Sequence, residues 1–137
     1  MAEEHTFRLE ILTPYRQFFA GEAQSLIFPA MDGQMGVEPG HEPAVTAVEP
    51  GVLRYQTGGE WYTAAVGSGF AEIMPESVVL LVSSAERPEE IDQARAEAAR
   101  ERAEERLKTQ QSVRDYYRSR AALARALARL KACSGNI

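Results

Sequence analysis

The spacing of apolar positions changes character once along the chain, near residue 85. Before that point apolar residues come in short runs. Phe7, Leu9 and Ile11 alternate with Arg8, Glu10 and Leu12, the period-two pattern of a strand with one face buried, and the runs Trp61 to Val66 and Val78 to Val82 are rich in β-branched and aromatic side chains. Turn formers punctuate these runs at Pro14, Gly21, Pro29, Asp32-Gly33, Pro39-Gly40, Pro50-Gly51, Gly58-Gly59 and Pro75, about every ten residues. Many short strands over roughly 80 residues predict a β-sandwich or barrel.

Past Pro88 neither glycine nor proline occurs until Gly135, and Ala, Glu, Arg and Leu dominate, so this part is expected to be helical. Pro88-Glu89-Glu90 suits a first helical turn, because proline has no N–H to leave unpaired there and acids face the positive end of the helix dipole. Thr109-Gln110-Gln111-Ser112 weakens the helical pattern, and Ser112 is a natural cap for a second helix from about Val113 to Ala132. Ile91, Ala94, Ala98 and Leu107 are expected to form the apolar stripe of the first helix, and Tyr116, Leu123, Leu127 and Leu130 that of the second. Two such helices predict an antiparallel hairpin. Its seam is thin and alanine-rich, and each buried methyl contributes only about 0.8 kcal/mol. The hairpin is therefore expected to open at modest cost, and as one rod of about 40 residues it would reach about 60 Å.

Composition agrees with a folded chain: 45% hydrophobic and 26% charged residues exclude the disordered class, and 137 residues suffice for a small domain with a helical appendage. No apolar run is long enough to span a bilayer, and the acidic start MAEEHTFRLE lacks the features of a secretory signal, so the chain is expected to stay on the cytoplasmic side. The one cysteine, Cys133, permits neither an internal disulfide nor a thiolate metal cluster. The net charge of -5 divides unevenly, residues 1–84 carrying -8 and residues 85–137 carrying +3. From Arg114 to Lys131 six basic residues accompany the single acid Asp115, a stretch that favours an acidic partner surface. Nucleic acid is not the expected partner, because the chain as a whole is acidic and has no glycine-aromatic RNA-binding pattern.

Catalytic signatures are largely missing. Gly67-Ser68-Gly69 lacks the G-x-S-x-G spacing of a nucleophile elbow, and only His5 and His41 could serve as a base. His41-Glu42 is followed by Pro43 rather than by the remainder of a zinc-binding H-E-x-x-H, and there is no phosphate-binding G-x-x-x-x-G-K-[ST] loop. The expectation is no catalytic residue, no metal ligand set and no catalytic cofactor. Asp92, Arg95 and Arg102 stand three and seven residues apart, near one helical face, while Arg125 and Arg129 are four apart on the second helix. A folded hairpin could gather these guanidinium groups, which repel each other but suit a polyphosphate. The alternative is a solvated surface of ion pairs such as Arg95 with Glu101.

Two segments carry more specific information. Pro29 to Pro43 (PAMDGQMGVEPGHEP), taken with Phe19-Ala20-Gly21-Glu22-Ala23 before it and Gly67 to Ile73 (GSGFAEI) after it, resembles the sandwich domain of the F-type ATP synthase epsilon subunit family. Ile91-Asp92-Gln93-Ala94-Arg95-Ala96 resembles the I/L-D-x-x-R-A motif linked to ATP binding in bacterial members, and the resemblance runs from Phe7 to about Lys131.

The resemblance implies a sandwich of about ten strands at residues 1–86 and a regulatory helical hairpin at residues 87–137. It implies a non-catalytic rotor subunit on the central stalk, with the gamma subunit, the c-ring and the alpha/beta catalytic head as partners, peripheral to the inner membrane and attached only through the complex. Family members turn the loop matching Gln34 through His41 toward the c-ring. His41 fits that pattern, whereas Gln34 stands where some relatives have an acid; a plain turn histidine is the other reading of His41. For ATP as regulatory ligand, the resemblance places Glu86, Ile91, Asp92 and Ala96 about the base and ribose, and Arg95, Arg102, Arg125 and Arg129 at the phosphates. Whether Mg²⁺ accompanies ATP is open, and a free-standing nucleotide-sensing module and an enzyme remain as alternatives.

Overall fold

The computed structural model describes residues 5–109 and 112–135. Gln110 and Gln111, on which the expected helix break partly falls, and the acidic start Met1 to Glu4 lie outside them.

Ten strands follow in order: β1 (Phe7–Leu12), β2 (Gln17–Ala23), β3 (Ser25–Ala30), β4 (Gly33–Val37), β5 (Ala44–Val48), β6 (Gly51–Thr57), β7 (Glu60–Val66), β8 (Gly69–Ile73), β9 (Ser77–Val82) and β10 (Ala85–Glu86). They form two five-stranded sheets, β2-β1-β9-β8-β5 and β10-β7-β6-β3-β4. All pairings are antiparallel except β1 with β9, where Leu9 lies opposite Val78 and Ile11 opposite Leu80. The alternation expected in β1 holds, with Phe7, Leu9 and Ile11 buried. They meet Phe28, Leu53, Ile73 and Leu80 in a core built from strand residues of both sheets, as in other sandwiches whose inward-facing positions interdigitate. Gly58 and Gly59, both at positive φ, make the two-residue turn that joins β6 to β7, a conformation the right-handed twist of a hairpin favours.

Gly67 and Gly69 are explained by packing rather than chemistry. A side chain at Gly69 would collide with the backbone carbonyl of Leu81 on β9, and one at Gly67 would collide with the Ser83 and Ser84 hydroxyls.

After β10 the chain makes a single 3-10 turn at Pro88–Glu90 and then two helices, α1 (Gln93–Lys108) and α2 (Val113–Ser134). Pro88-Glu89-Glu90 is thus not the first turn of α1. Ile91 returns to extended backbone, and Asp92 caps α1 by accepting a hydrogen bond from the Arg95 N–H at 3.1 Å. A carboxylate one residue ahead of the helix satisfies an orphan N–H, which Arg87 in the equivalent place before Pro88 does not. Ser112 caps α2 as expected, its Oγ 3.1 Å from the Asp115 N–H, and α2 runs on to Ser134, with Gly135 in the left-handed conformation ending it.

The layers stack as sheet, sheet, α2, α1. Ala128 and Ala132 on α2 pack with Ile91 onto Val52 and Ala65, on the outer face of β6 and β7, and α1 lies against α2. The seams differ from the expected stripes. On α1 the buried residues are Ala96 and Ala103, whereas Ala94 is exposed; on α2 they are Ser119, Ala126, Ala128 and Ala132, whereas Leu127 is exposed. The shift has a physical cause: α2 lies between two neighbours, so it buries small residues on two flanks where close approach is needed, and its larger side chains sit beside the seams.

Candidate functional site

Where the linker after β10 meets both helices, the chain encloses an open cavity of about 350 Å³. The linker supplies Glu86 and Glu90, the cap and first turns of α1 supply Asp92, Arg95, Ala96, Ala99 and Arg102, and α2 supplies Arg129. Six of the eight residues expected to contact a nucleotide therefore line one cavity: Glu86, Asp92, Arg95, Ala96, Arg102 and Arg129. Helical period brings Asp92, Arg95, Ala99 and Arg102 to the same face of α1, and the hairpin fold adds Arg129.

The other two lie elsewhere. Ile91 points away from the cavity and packs onto the Val52, Ala65, Ala128 and Ala132 cluster, because its extended backbone turns an apolar side chain toward the sheet. Arg125 is exposed and lines a small adjoining recess with Ala65, Ser84 and Ala128, one turn of helix before Arg129. That recess shares Glu86 and Arg129 with the main cavity. Glu90 and Ala99 are cavity residues that sequence reasoning missed. Ala99 could have been found from its seven-residue spacing to Asp92; Glu90 has no such signal.

The cavity carboxylates are each engaged. Glu86 accepts from Arg129 Nε at 2.7 Å, and Asp92 is occupied by the α1 cap. Glu90 accepts from both terminal nitrogens of Arg16 at 2.9 Å and from the Arg87 N–H at 2.8 Å. These hydrogen bonds, led by those from Arg16, hold the Glu90 carboxyl down at about 2. Among the described residues the side chains of Arg95 and Arg102 form no ion pair. The salt-bridged helix surface considered as the alternative does exist, but on Arg100, which bonds Glu97 and Glu104, and not on Arg95. The cavity thus presents two unpaired guanidinium groups and a third, Arg129, bound to one carboxylate. Its volume and its converging polar groups fit an anionic small molecule.

A second feature lies at the far edge of the sandwich. His41 lines an open groove of about 470 Å³ with Ile27, Gly36, Glu38 and Gly40. Its Nδ1 is 2.8 Å from the Glu42 carbonyl, which can only accept, so Nδ1 carries the proton in this contact. The turn-histidine reading therefore describes one of its ring nitrogens. Gln34 is exposed on β4, opposite Pro29, and does not line the groove. Ser68 is exposed in the turn before β8, and no cluster that could hold a metal ion occurs among the described residues.

Comparison with known proteins gives a consistent result. Residues 6–88 match the family described as ATP synthase, Delta/Epsilon chain, beta-sandwich domain, and residues 89–134 match ATP synthase, Delta/Epsilon chain, long alpha-helix domain. The ATP synthase epsilon chain of Ruminiclostridium cellulolyticum is 56% identical over 127 residues, which cover 93% of this chain and 95% of that one. That of Caldanaerobacter subterraneus subsp. tengcongensis is 45% identical over 132 residues, 96% of each. In fold, the chain is similar to one in the cryo-EM structure of the Euglena gracilis mitochondrial ATP synthase, OSCP/F1/c-ring in rotational state 1, with a TM-score of 0.82 at 22% identity, covering 95% of this chain and 82% of that one.

Proposed function

The chain belongs to the ATP synthase delta/epsilon family, and from that premise we propose that it is a non-catalytic subunit of the rotor, with an ATP-responsive helical hairpin that regulates hydrolysis. In this role the sandwich seats on the gamma subunit and the c-ring, with Gln34 on β4 and His41 in the turn that follows it facing the ring, and the hairpin faces the alpha/beta head. No helix among the described residues is long and apolar enough to cross a membrane. Attachment then runs through the complex, on the cytoplasmic side of the inner membrane.

The observation that carries the nucleotide reading is the convergence of Arg95, Arg102 and Arg129 on one cavity whose walls come from linker, α1 and α2 together. A ligand held there contacts the hairpin only when it is folded. By mass action it stabilises that state by RT ln(1 + [L]/Kd), which is about 2.7 kcal/mol at a hundredfold excess over Kd. The seams to be overcome are made mostly of alanine, at about 0.8 kcal/mol per buried methyl, so a ligand term of that size can decide between a folded and an opened hairpin. Guanidinium groups supply paired, charge-assisted hydrogen bonds to phosphate; in this reading Glu86 and Asp92, which line the same cavity, would meet the sugar and base. The opened hairpin would carry Arg114, Arg118 and Arg120, all exposed, together with Arg125, toward an acidic surface of the head.

The experiment is a titration of the purified chain with ATP, with and without Mg²⁺, by calorimetry, followed by ATP hydrolysis assays of the synthase. Saturable binding, and relief of inhibition when Arg114, Arg118, Arg120 and Arg125 are replaced by alanine, are the expected results. Absence of binding would refute the nucleotide reading, and unchanged inhibition at low salt would refute the electrostatic one.

A further inference from the structure

The cavity wall contains a carboxylate that ought to oppose an anionic ligand. Glu90 lines the cavity together with Glu86 and Asp92, so a polyphosphate would meet three acids as well as three arginines. Glu86 is already countered by Arg129 inside the site, and Asp92 gives Oδ1 to the α1 cap. Glu90 is countered from outside the site. Arg16, in the turn between β1 and β2, donates Nη1 to Glu90 Oε2 and Nη2 to Oε1, both at 2.9 Å, across 74 residues of sequence. Nη2 also donates to the Ala85 carbonyl at 3.0 Å, and the guanidinium lies 5.3 Å from the centre of the Phe18 ring.

The turn that carries Arg16 is itself fixed. Thr13 Oγ1 accepts from the Tyr15 and Arg16 N–H groups at 3.2 and 3.1 Å, and the Thr13 N–H donates to the Arg16 carbonyl at 2.9 Å. A bidentate arginine on a fixed turn fixes the carboxylate it holds as well as neutralising it.

We propose that Arg16 is a positioning residue for the ATP cavity: by holding Glu90 from the sandwich side, it keeps that carboxylate off Arg95 and Arg102 and leaves both guanidinium groups to the phosphates. The inference rests on the nucleotide reading above. Without Arg16, the Glu90 side chain keeps only the Arg87 contacts, namely the N–H at 2.8 Å and the guanidinium at 3.5 Å, and its charge turns toward the arginines of the cavity. The nucleotide would then compete with Glu90 for Arg95 and Arg102, and its own charge would face an uncompensated acid. Arg16 does not itself line the cavity; it meets the site through Glu90, which it bonds, and its charge also favours that of Glu86.

The test is ATP affinity of the full chain, by calorimetry, for wild type, Arg16→Ala, Glu90→Gln and the double variant. Glutamine at position 90 keeps an amide oxygen for the Arg87 N–H but carries no charge. Arg16→Ala should weaken ATP about tenfold, Glu90→Gln should bind at least as well as wild type, and the double variant should bind within about twofold of Glu90→Gln, since a charge pair across a tenfold effect corresponds to about 1.4 kcal/mol. A purely structural tie predicts the opposite: Glu90→Gln weakens binding and the double variant stays as weak as Arg16→Ala. That result, or an Arg16→Ala chain that binds as wild type does, overturns the inference while leaving the nucleotide reading standing. A wild-type chain that takes up no ATP overturns the nucleotide reading itself, and the inference with it.

Discussion

Arg129 on α2 donates its Nε hydrogen to Oε1 of Glu86 on β10 over 2.7 Å, joining residues 43 apart in sequence. The same arginine lines the cavity. One guanidinium therefore ties the hairpin to β10 and faces the cavity, so that under the proposed nucleotide reading occupancy of the cavity and closure of the hairpin would be coupled through it.

Arg95→Ala and Arg129→Ala should each weaken ATP binding by about tenfold to a hundredfold, since a lost charge-assisted hydrogen bond costs on the order of 1.5–3 kcal/mol. Arg118→Ala removes the same charge from an exposed position away from the cavity and should change affinity less than threefold. Calorimetric titration of the three variants decides the matter. Equal losses would mean that diffuse positive charge, and not a site, attracts the nucleotide.

Ala128→Glu should detach the hairpin from the sandwich without unfolding the strands. Ala128 is 5% exposed and packs with Ala132 and Ile91 on Val52 and Ala65, so a carboxylate there would be buried among apolar groups. Amide exchange should speed up throughout α1 and α2 and remain slow in β1 and β9. Protected helices in the variant would contradict the docking described.

A fragment ending at Ile91 should melt cooperatively. The main core draws only on strand residues, and the helices add a separate small cluster on the outer face of β6 and β7. Retaining Glu90 keeps its bonds to Arg16 and Arg87. A molten fragment would show that the hairpin is part of the sandwich's stability.

Acid should weaken the Arg16–Glu90 tie at a predictable place. The Glu90 carboxyl is lowered from an ordinary value of 4.5 to about 2, first by the Arg16 hydrogen bonds and then by the Arg87 N–H. A lowered carboxyl stabilises the fold above its unfolded value, and the gain is lost as pH falls from about 4.5 through about 2. Melting temperatures of wild type and Glu90→Gln, followed by circular dichroism, should differ by a constant amount above about pH 6, draw together as pH falls below about 4.5 and meet only below about pH 2. Parallel curves over the whole range would mean that the tie adds nothing to stability.

Gly69→Ala should destabilise the sandwich by at least about 2 kcal/mol, because its methyl would meet the Leu81 carbonyl, a backbone atom that cannot rotate away. Denaturant melts measure this directly. A neutral result would mean that β8 and β9 can separate at little cost.

What the sequence determined by itself was whatever repeats over short distances. The alternation in β1, the glycine-marked turn between β6 and β7, the strands at Trp61 to Val66 and Val78 to Val82 and the Ser112 cap are all local, since a backbone period or a cap needs only residues a few places apart. The face shared by Asp92, Arg95 and Arg102 was legible for the same reason. Tertiary structure decided the rest. Only the stacking of α2 between α1 and the sheet selects Ala126, Ala128 and Ala132 over Leu127 for burial, because the distance of closest approach between layers, and not the hydrophobicity of a side chain, sets which residues fit. Likewise Ile91 leaves the motif for the sheet, and Glu90 reaches Arg16 on another strand connection. An ion pair across 74 residues has no period to announce it; it exists only once the β1–β2 turn and the linker have been brought side by side.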